Sequence, residues 1–147
     1  MMTLQPLDLS NRGEILQLVE FINTHYLAAV PLTESAVASG RTKLFWAQVD
    51  GQRVGASAYV ERTPMLAETV KSVIDPAFRG KGYGAKLSQA IEDQVKRDGY
   101  KKAMTTVYID NLPMILIKLR QGYRFEGFHP DHERPGWHEY SFGKLLT

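Results

Sequence analysis

The sequence predicts one α/β domain built on a mixed, mostly antiparallel sheet with flanking helices. Three observations predict it. Midway along the chain the apolar period changes from two to 3.6 residues across a glycine-rich turn at 79–84, reading as strand, turn, helix and strand. Returning from such a helix to the same sheet requires a crossover, so the strands near residues 70 and 105 should run parallel. On either side of that unit, Asp50-Gly51 between two strand patterns and a pair of short apolar runs near the C-terminus read as antiparallel. The chain has 147 residues, 44% hydrophobic and 23% charged, enough for one core spanning 1–147 and unlike a disordered chain.

The elements follow in order. Met2 to Leu7 reads as a short strand. Asn11 caps a first helix, with Glu14 three residues on as in a capping box and Ile15, Leu18, Val19, Ile22 and Tyr26 at helical spacing. A weaker helical segment covers Thr33 to Ser39. Leu44–Val49 and Arg53–Val60 form a hairpin across Asp50-Gly51, because the favoured two-residue turn needs positive φ at both positions. Glu68 to Ile74 is a further strand, stopped by Pro76. From Tyr83, Leu87, Ala90, Ile91 and Val95 share one helical face, and Gly99 is suited to a left-handed cap. Lys102 to Ile109 is a strand. Asn111 caps the next helix, with Pro113 in its first turn and Ile115, Leu116 and Leu119 as its apolar residues, and Gly122 closes it. Phe125–Phe128 and His138–Phe142 are the last strands.

Composition narrows the function. With no cysteine, disulfides, thiolate metal sites and a cysteine nucleophile are excluded together. That is compatible with the cytoplasm, the expected location; the N-terminus lacks the pattern of a secretory signal, and no apolar run is long enough to span a bilayer. A net charge of +2 argues against nucleic acid or membrane as partner.

The turn Arg79-Gly80-Lys81-Gly82-Tyr83-Gly84 carries the chemistry. Glycines let the backbone approach a ligand closely, unpaired N–H groups at the helix start point outward, and the helix dipole adds positive charge. Arg79 and Lys81 supply full charges, giving a site suited to a pyrophosphate. A nucleotide P-loop is excluded, since no Gly-Lys-Ser/Thr occurs. The glycines alternate at 80, 82 and 84 rather than as Gly-x-Gly-x-x-Gly, and the turn lies far from the first strand, unlike a dinucleotide fold.

The run from Val73 through Arg79-Gly80-Lys81-Gly82-Tyr83-Gly84 to Leu87 resembles motif A of the GNAT N-acetyltransferases, and Asn111 followed by Gly122-Tyr123 resembles their motif B. The element order matches that family over nearly the whole chain. The resemblance implies acetyl-CoA as co-substrate, with its pyrophosphate on Arg79 through Gly84. It implies that the strand before the turn splays from its parallel neighbour, that the backbone of Ser72, Val73 and Ile74 pairs with the pantetheine arm, and that Asn111 lies near that arm. It places Glu68 at the general base of the histone-acetylating branch, with Glu61 a weaker rival. The family's proton-donating tyrosine falls on Lys118, a departure. A lysine there donates a proton, pairs with a phosphate or, as is usual for a lone helix lysine, faces solvent. Tyr108 and Tyr123 are the substitute acids, each also readable as a packing aromatic with a wet hydroxyl.

The acceptor site is expected from the end of the first helix, including His25 and Tyr26, and from the loop holding His129, Asp131, His132, Glu133, Arg134 and Trp137. His129, His132 and His138 match no metal-ligand spacing, and Pro130 and Pro135 make the segment a loop, so no metal is expected. The expected reaction is acetyl transfer to a primary amine of a small molecule, peptide or protein. The competing reading is a non-catalytic acyl-CoA-binding module, which Lys118 keeps open. Pairing of the final strands across a homodimer is a further possibility.

Overall fold

The computed structural model describes residues 1–28 and 30–147. In chain order the elements are β1 (Met2–Pro6), α1 (Arg12–His25), α2 (Glu34–Ala38), β2 (Thr42–Val49), β3 (Gln52–Thr63), β4 (Leu66–Ile74), a 3₁₀ turn (Pro76–Phe78), α3 (Tyr83–Arg97), β5 (Lys102–Tyr108), α4 (Leu112–Arg120), β6 (Arg124–His129) and β7 (Glu139–Leu145). The sheet runs β1-β2-β3-β4-β5-β7-β6, with β4 and β5 parallel and every other pair antiparallel. The last strand, β7, is therefore internal, and the C-terminal edge is β6.

Local chemistry explains most boundaries. Asp50 and Gly51 take φ of 51° and 78°, as the two-residue hairpin turn requires. The side-chain oxygens of Asn11, Thr33 and Asn111 accept the N–H groups of Glu14, Ala36 and Met114, capping α1, α2 and α4. The capping box at Asn11 is only half formed. The Glu14 carboxylate turns instead to the sheet, where it accepts from Arg53 Nη2 at 2.7 Å and Trp46 Nε1 at 3.2 Å.

Period-two alternation in β2 divides the core. Leu44 and Trp46 join Ile15, Leu18 and Ile22 of α1, Val37 of α2 and Ala56, Ala58 and Val73 on one face. Phe45 and Ala47 face the other way, toward Leu87, Ile91 and Val95 of α3 with Ala103, Val107, Tyr123 and Phe142. The sheet is thus covered by α1 and α2 on one face and by α3 and α4 on the other.

Helix α4 departs from its expected packing. Leu112, Leu116 and Leu119 are exposed, while Lys118 is 4% exposed. Met114 and Ile115 supply what apolar packing the helix has. The cause is a polar network at the α3–α4 contact: Lys118 Nζ donates to Ser88 Oγ at 2.6 Å, and Ser88 Oγ donates to Gln121 Oε1. Gln121 Nε2 in turn donates to Glu92 Oε2, and Lys144 pairs with Glu92 at 2.7 Å. The solvent-facing reading of Lys118 is corrected accordingly.

Candidate active site

The parallel pair opens partway along. β4 and β5 are in register only at Leu66 with Lys102, Ala67 with Ala103 and Glu68 with Met104. One further link, Thr105 Oγ1 to the Thr69 carbonyl at 3.1 Å, is buried at the fork. Beyond it β5 continues to pair with β7 as far as Tyr108 and Glu139, and β4 with β3 as far as Ile74 and Gly55. The β5-facing backbone from Ser72 to Ile74 is left without a strand partner among the described residues.

A bulge in β4 helps set this divergence. Lys71 and Ser72 together oppose the single residue Ser57, and Lys71 takes φ of 56°, uncommon for a residue with a side chain. The extra residue puts Val70 and Val73 against the same α1-side core. Ser72 Oγ and Ser57 Oγ hydrogen-bond at 2.7 Å, fixing the bulge to β3. Gly55 is needed opposite, because any Cβ there would collide with the Val73 carbonyl.

Just past the fork, Asp75 caps the 3₁₀ turn through the Ala77 N–H. Gly80 and Gly82 then take φ of 79° and 76°, closed to most side chains, and the space a Cβ would fill at each is open. Gly82 is the N-cap of α3 and offers no side chain to the first-turn N–H groups. Arg79, Lys81 and Lys86 surround this end of the helix; Lys81 and Lys86 extend over the rings of Phe78 and Tyr83. Exposed, uncapped N–H groups, open space and several cations fit the pyrophosphate of a coenzyme A thioester.

The α1 side of the fork gathers a second set. Tyr26, which caps the C-terminus of α1, has its hydroxyl hydrogen-bonded by the Lys71 backbone and its ring under Lys71 Nζ at 5.3 Å. Burial, with Glu133 and Glu139 nearby, pushes its hydroxyl up to about 12. The Tyr108 hydroxyl donates to Glu133 Oε2 at 2.8 Å, and its ring meets Trp137 edge-on at 5.2 Å. Burial and that carboxylate raise the Tyr108 pKa far above the ordinary phenol range. Glu68 is paired with Arg62, whose Nε and Nη2 both lie 2.9 Å from Oε1.

Other predicted site residues lie apart, except His129, which sits opposite Glu139 on the same side. His25 packs edge-on to Phe21 at 5.0 Å, which contacts Trp46. His129 lies tilted against His132 at 4.9 Å, and its Nε2 is buried without a hydrogen-bond partner. Asn111 uses its side-chain oxygen as a helix cap. Tyr123 is 3% exposed on the α3 side, with Lys118 Nζ 4.7 Å from its ring centroid and its hydroxyl unpartnered, so that hydroxyl is not wet. Among the described residues, no three His, Asp or Glu side chains converge as metal ligands. Sequence reasoning missed Lys71 and Glu139. The only signal for Lys71 was the three-residue step from Val70 to Val73 within a strand; Glu139 gave none, since it begins a strand whose alternation suggests a wet face.

Compared with known families, residues 14–123 match the acetyltransferase (GNAT) family. The chain belongs to that family. Its GNAT fold is shared with solved structures across almost the whole length. The ribosomal-protein-S18-alanine N-acetyltransferase of Escherichia coli is 15% identical, with a TM-score of 0.79, covering 100% of this chain and 95% of that one. A Bacillus subtilis acetyltransferase in complex with CoA is 12% identical, with a TM-score of 0.79 and full coverage of both chains. The spermidine/spermine N-acetyltransferase of Vibrio cholerae is 16% identical, with a TM-score of 0.79, covering 98% and 93%. Among curated proteins compared by sequence, none matches.

Proposed function

We propose that this GNAT chain transfers an acetyl group from acetyl-CoA to a primary amine by direct attack on the thioester. The observation that carries the reading is the fork: an open strand edge at Ser72–Ile74 leading directly into an uncapped, cation-lined helix start. Arg79 through Gly84 would hold the pyrophosphate, and Lys86 adds a cation. The β5-facing backbone between Ser72 and Ile74 would hold the pantetheine arm, with the Ile74 carbonyl released from Arg79 Nε, and an N–H there would stabilise negative charge on the thioester oxygen. Asn111 and Lys118, at the α3–α4 side, would border the arm; Lys118 acts by fixing α4 against Ser88. The bound co-substrate supplies the activated acetyl group and a thiolate leaving group of pKa near 8.5.

The amine would enter from the α1 side, between Tyr26, Tyr108, Trp137 and the carboxylates, with His129 opposite Glu139 and His25 farther out. Freeing a lysine-like amine at pH 7 costs roughly 4–5 kcal/mol, an α-amine only about 1 kcal/mol. A carboxylate on this face therefore matters most for alkylamines. Glu68 lies on this face, held in an ion pair by Arg62. Tyr108 keeps its proton near neutral pH and orients Glu133; Tyr123, whose hydroxyl is buried in the α3-side core, would have to be uncovered to protonate sulfur. The direct test of the acceptor combines pure protein, acetyl-CoA and a panel of alkylamines, polyamines and peptides, followed by free-thiol release. Release above hydrolysis with at least one amine is expected. CoA binding by calorimetry without such release supports instead a non-catalytic acyl-CoA-binding module; absence of binding contradicts both.

A further inference from the structure

Glu139 opens β7 between two strands, directly opposite Tyr108 of β5 and His129 of β6. By strand alternation it shares the face of Tyr108 and Thr106, the α1 side of the sheet. Its side chain is 4% exposed. One oxygen has the Thr106 hydroxyl nearby, and Oε2 has no hydrogen-bond partner. A buried carboxylate oxygen without a hydrogen bond costs on the order of 1–3 kcal/mol or more, and the His132 ring at 3.7 Å is too far to supply one, so its retention calls for a ligand that satisfies it.

We propose that Glu139 is the general base of the transfer, receiving the acceptor ammonium on Oε2 and taking its proton. The proposal rests on the acetyl-transfer reading. Of the three carboxylates on this side, Glu68 is neutralised by Arg62 and Glu133 accepts from Tyr108. Glu139 alone has a buried oxygen with no donor. The charged and titratable groups around it are His132 and Glu133 from the loop, Tyr108 from β5, His129 from β6, Glu68 and Lys71 from β4, and Tyr26 from α1. Burial, then Glu133, raise its pKa above the usual carboxylate range, and His132 opposes them. A carboxylate so shifted is a stronger base than an exposed one.

The protons and electrons balance. The ammonium gives one proton to Glu139 Oε2, freeing the nitrogen lone pair. That pair forms the N–C bond while the C–S bond breaks, its electrons leaving on sulfur, and sulfur takes the second nitrogen proton. The proton on Glu139 leaves to water past His132, whose Nε2 lies 3.7 Å from Oε2 and whose side chain is 45% exposed.

The test is Glu139→Gln, with kcat/KM measured from pH 5 to 9 on an alkylamine and CoA affinity measured by calorimetry. Loss of 100-fold or more in kcat/KM, disappearance of the acid limb and unchanged CoA affinity are expected. Glu68→Gln should keep the limb. Wild-type-like rate and limb in Glu139→Gln, in an active protein, overturn the proposal alone. Wild-type protein that binds CoA but acetylates no amine overturns it together with the acetyl-transfer reading. Should Glu139→Gln fail to fold, His132→Gln answers instead: the acid limb should move to higher pH as a stabilising charge is lost, and an unmoved limb overturns the proposal.

Discussion

Lys118 is the residue whose setting departs furthest from expectation. Burial, with Lys144 adding repulsion and Glu92 partly offsetting it, pulls its pKa from 10.5 down to about 8. The folded state therefore binds fewer protons than the unfolded state between about pH 8 and 10, and stability should rise with pH across that window. The contribution is at most about 3 kcal/mol. Above pH 10 the trend should reverse, because Tyr26 and Tyr108 hold their protons in the fold and lose them when unfolded. In Lys118→Met, urea titrations at pH 8 and 10 should show that rise abolished; a rise equal to wild type would refute the buried charge. At the turn, Gly82→Val forces a branched side chain to φ of 76°, a strain of about 1–2 kcal/mol, directly where the pyrophosphate would lie. CoA affinity by calorimetry should fall at least tenfold, and unchanged affinity would remove the turn from the site.

At the scale of elements, the fork depends on a few contacts. Thr105→Val removes the hydroxyl that reaches the Thr69 carbonyl and should cost about 1–3 kcal/mol in denaturant melts, with CoA binding weakened as the fork loosens. Helix α4 gives a contrasting result. Leu116→Gln lies on an exposed face and should change stability by less than about 0.5 kcal/mol, whereas Ile91→Ala on the buried face of α3 should cost about 2–5 kcal/mol. This contrast marks where sequence and fold diverge. Helix caps, the Asp50-Gly51 hairpin and the strand–turn–helix at 79–84 were legible because short-range chemistry decides them. The apolar pattern of α4 misled, because Ser88, Glu92 and Gln121 reach Lys118 only once α3 and α4 have packed. The bulge at Lys71 likewise follows from its opposition to Ser57 of β3, a pairing that the step from Val70 to Val73 hints at but does not fix.

Across the whole molecule, the two faces of one sheet meet at the fork between β4 and β5. The turn on the α3 side fits a pyrophosphate, and the carboxylates on the α1 side fit a cation; the fork is where a thioester held from one side would be reached by an amine from the other. The glycine-rich turn was readable from its residues, while the proposed acceptor side draws on α1, β4, β5 and the β6–β7 loop, so only fragments of it stood out. Ligand that binds only the folded state should stabilise it: CoA at 100 times its Kd adds about 2.7 kcal/mol, raising Tm by several degrees, and no shift would contradict a preformed site. The most direct measurement of the central claim is thiol release from acetyl-CoA in the presence of an amine panel. Amine-dependent release, with the acetylated amine identified by mass, is predicted. Release no faster than hydrolysis for every amine, from protein shown to bind CoA, would contradict it.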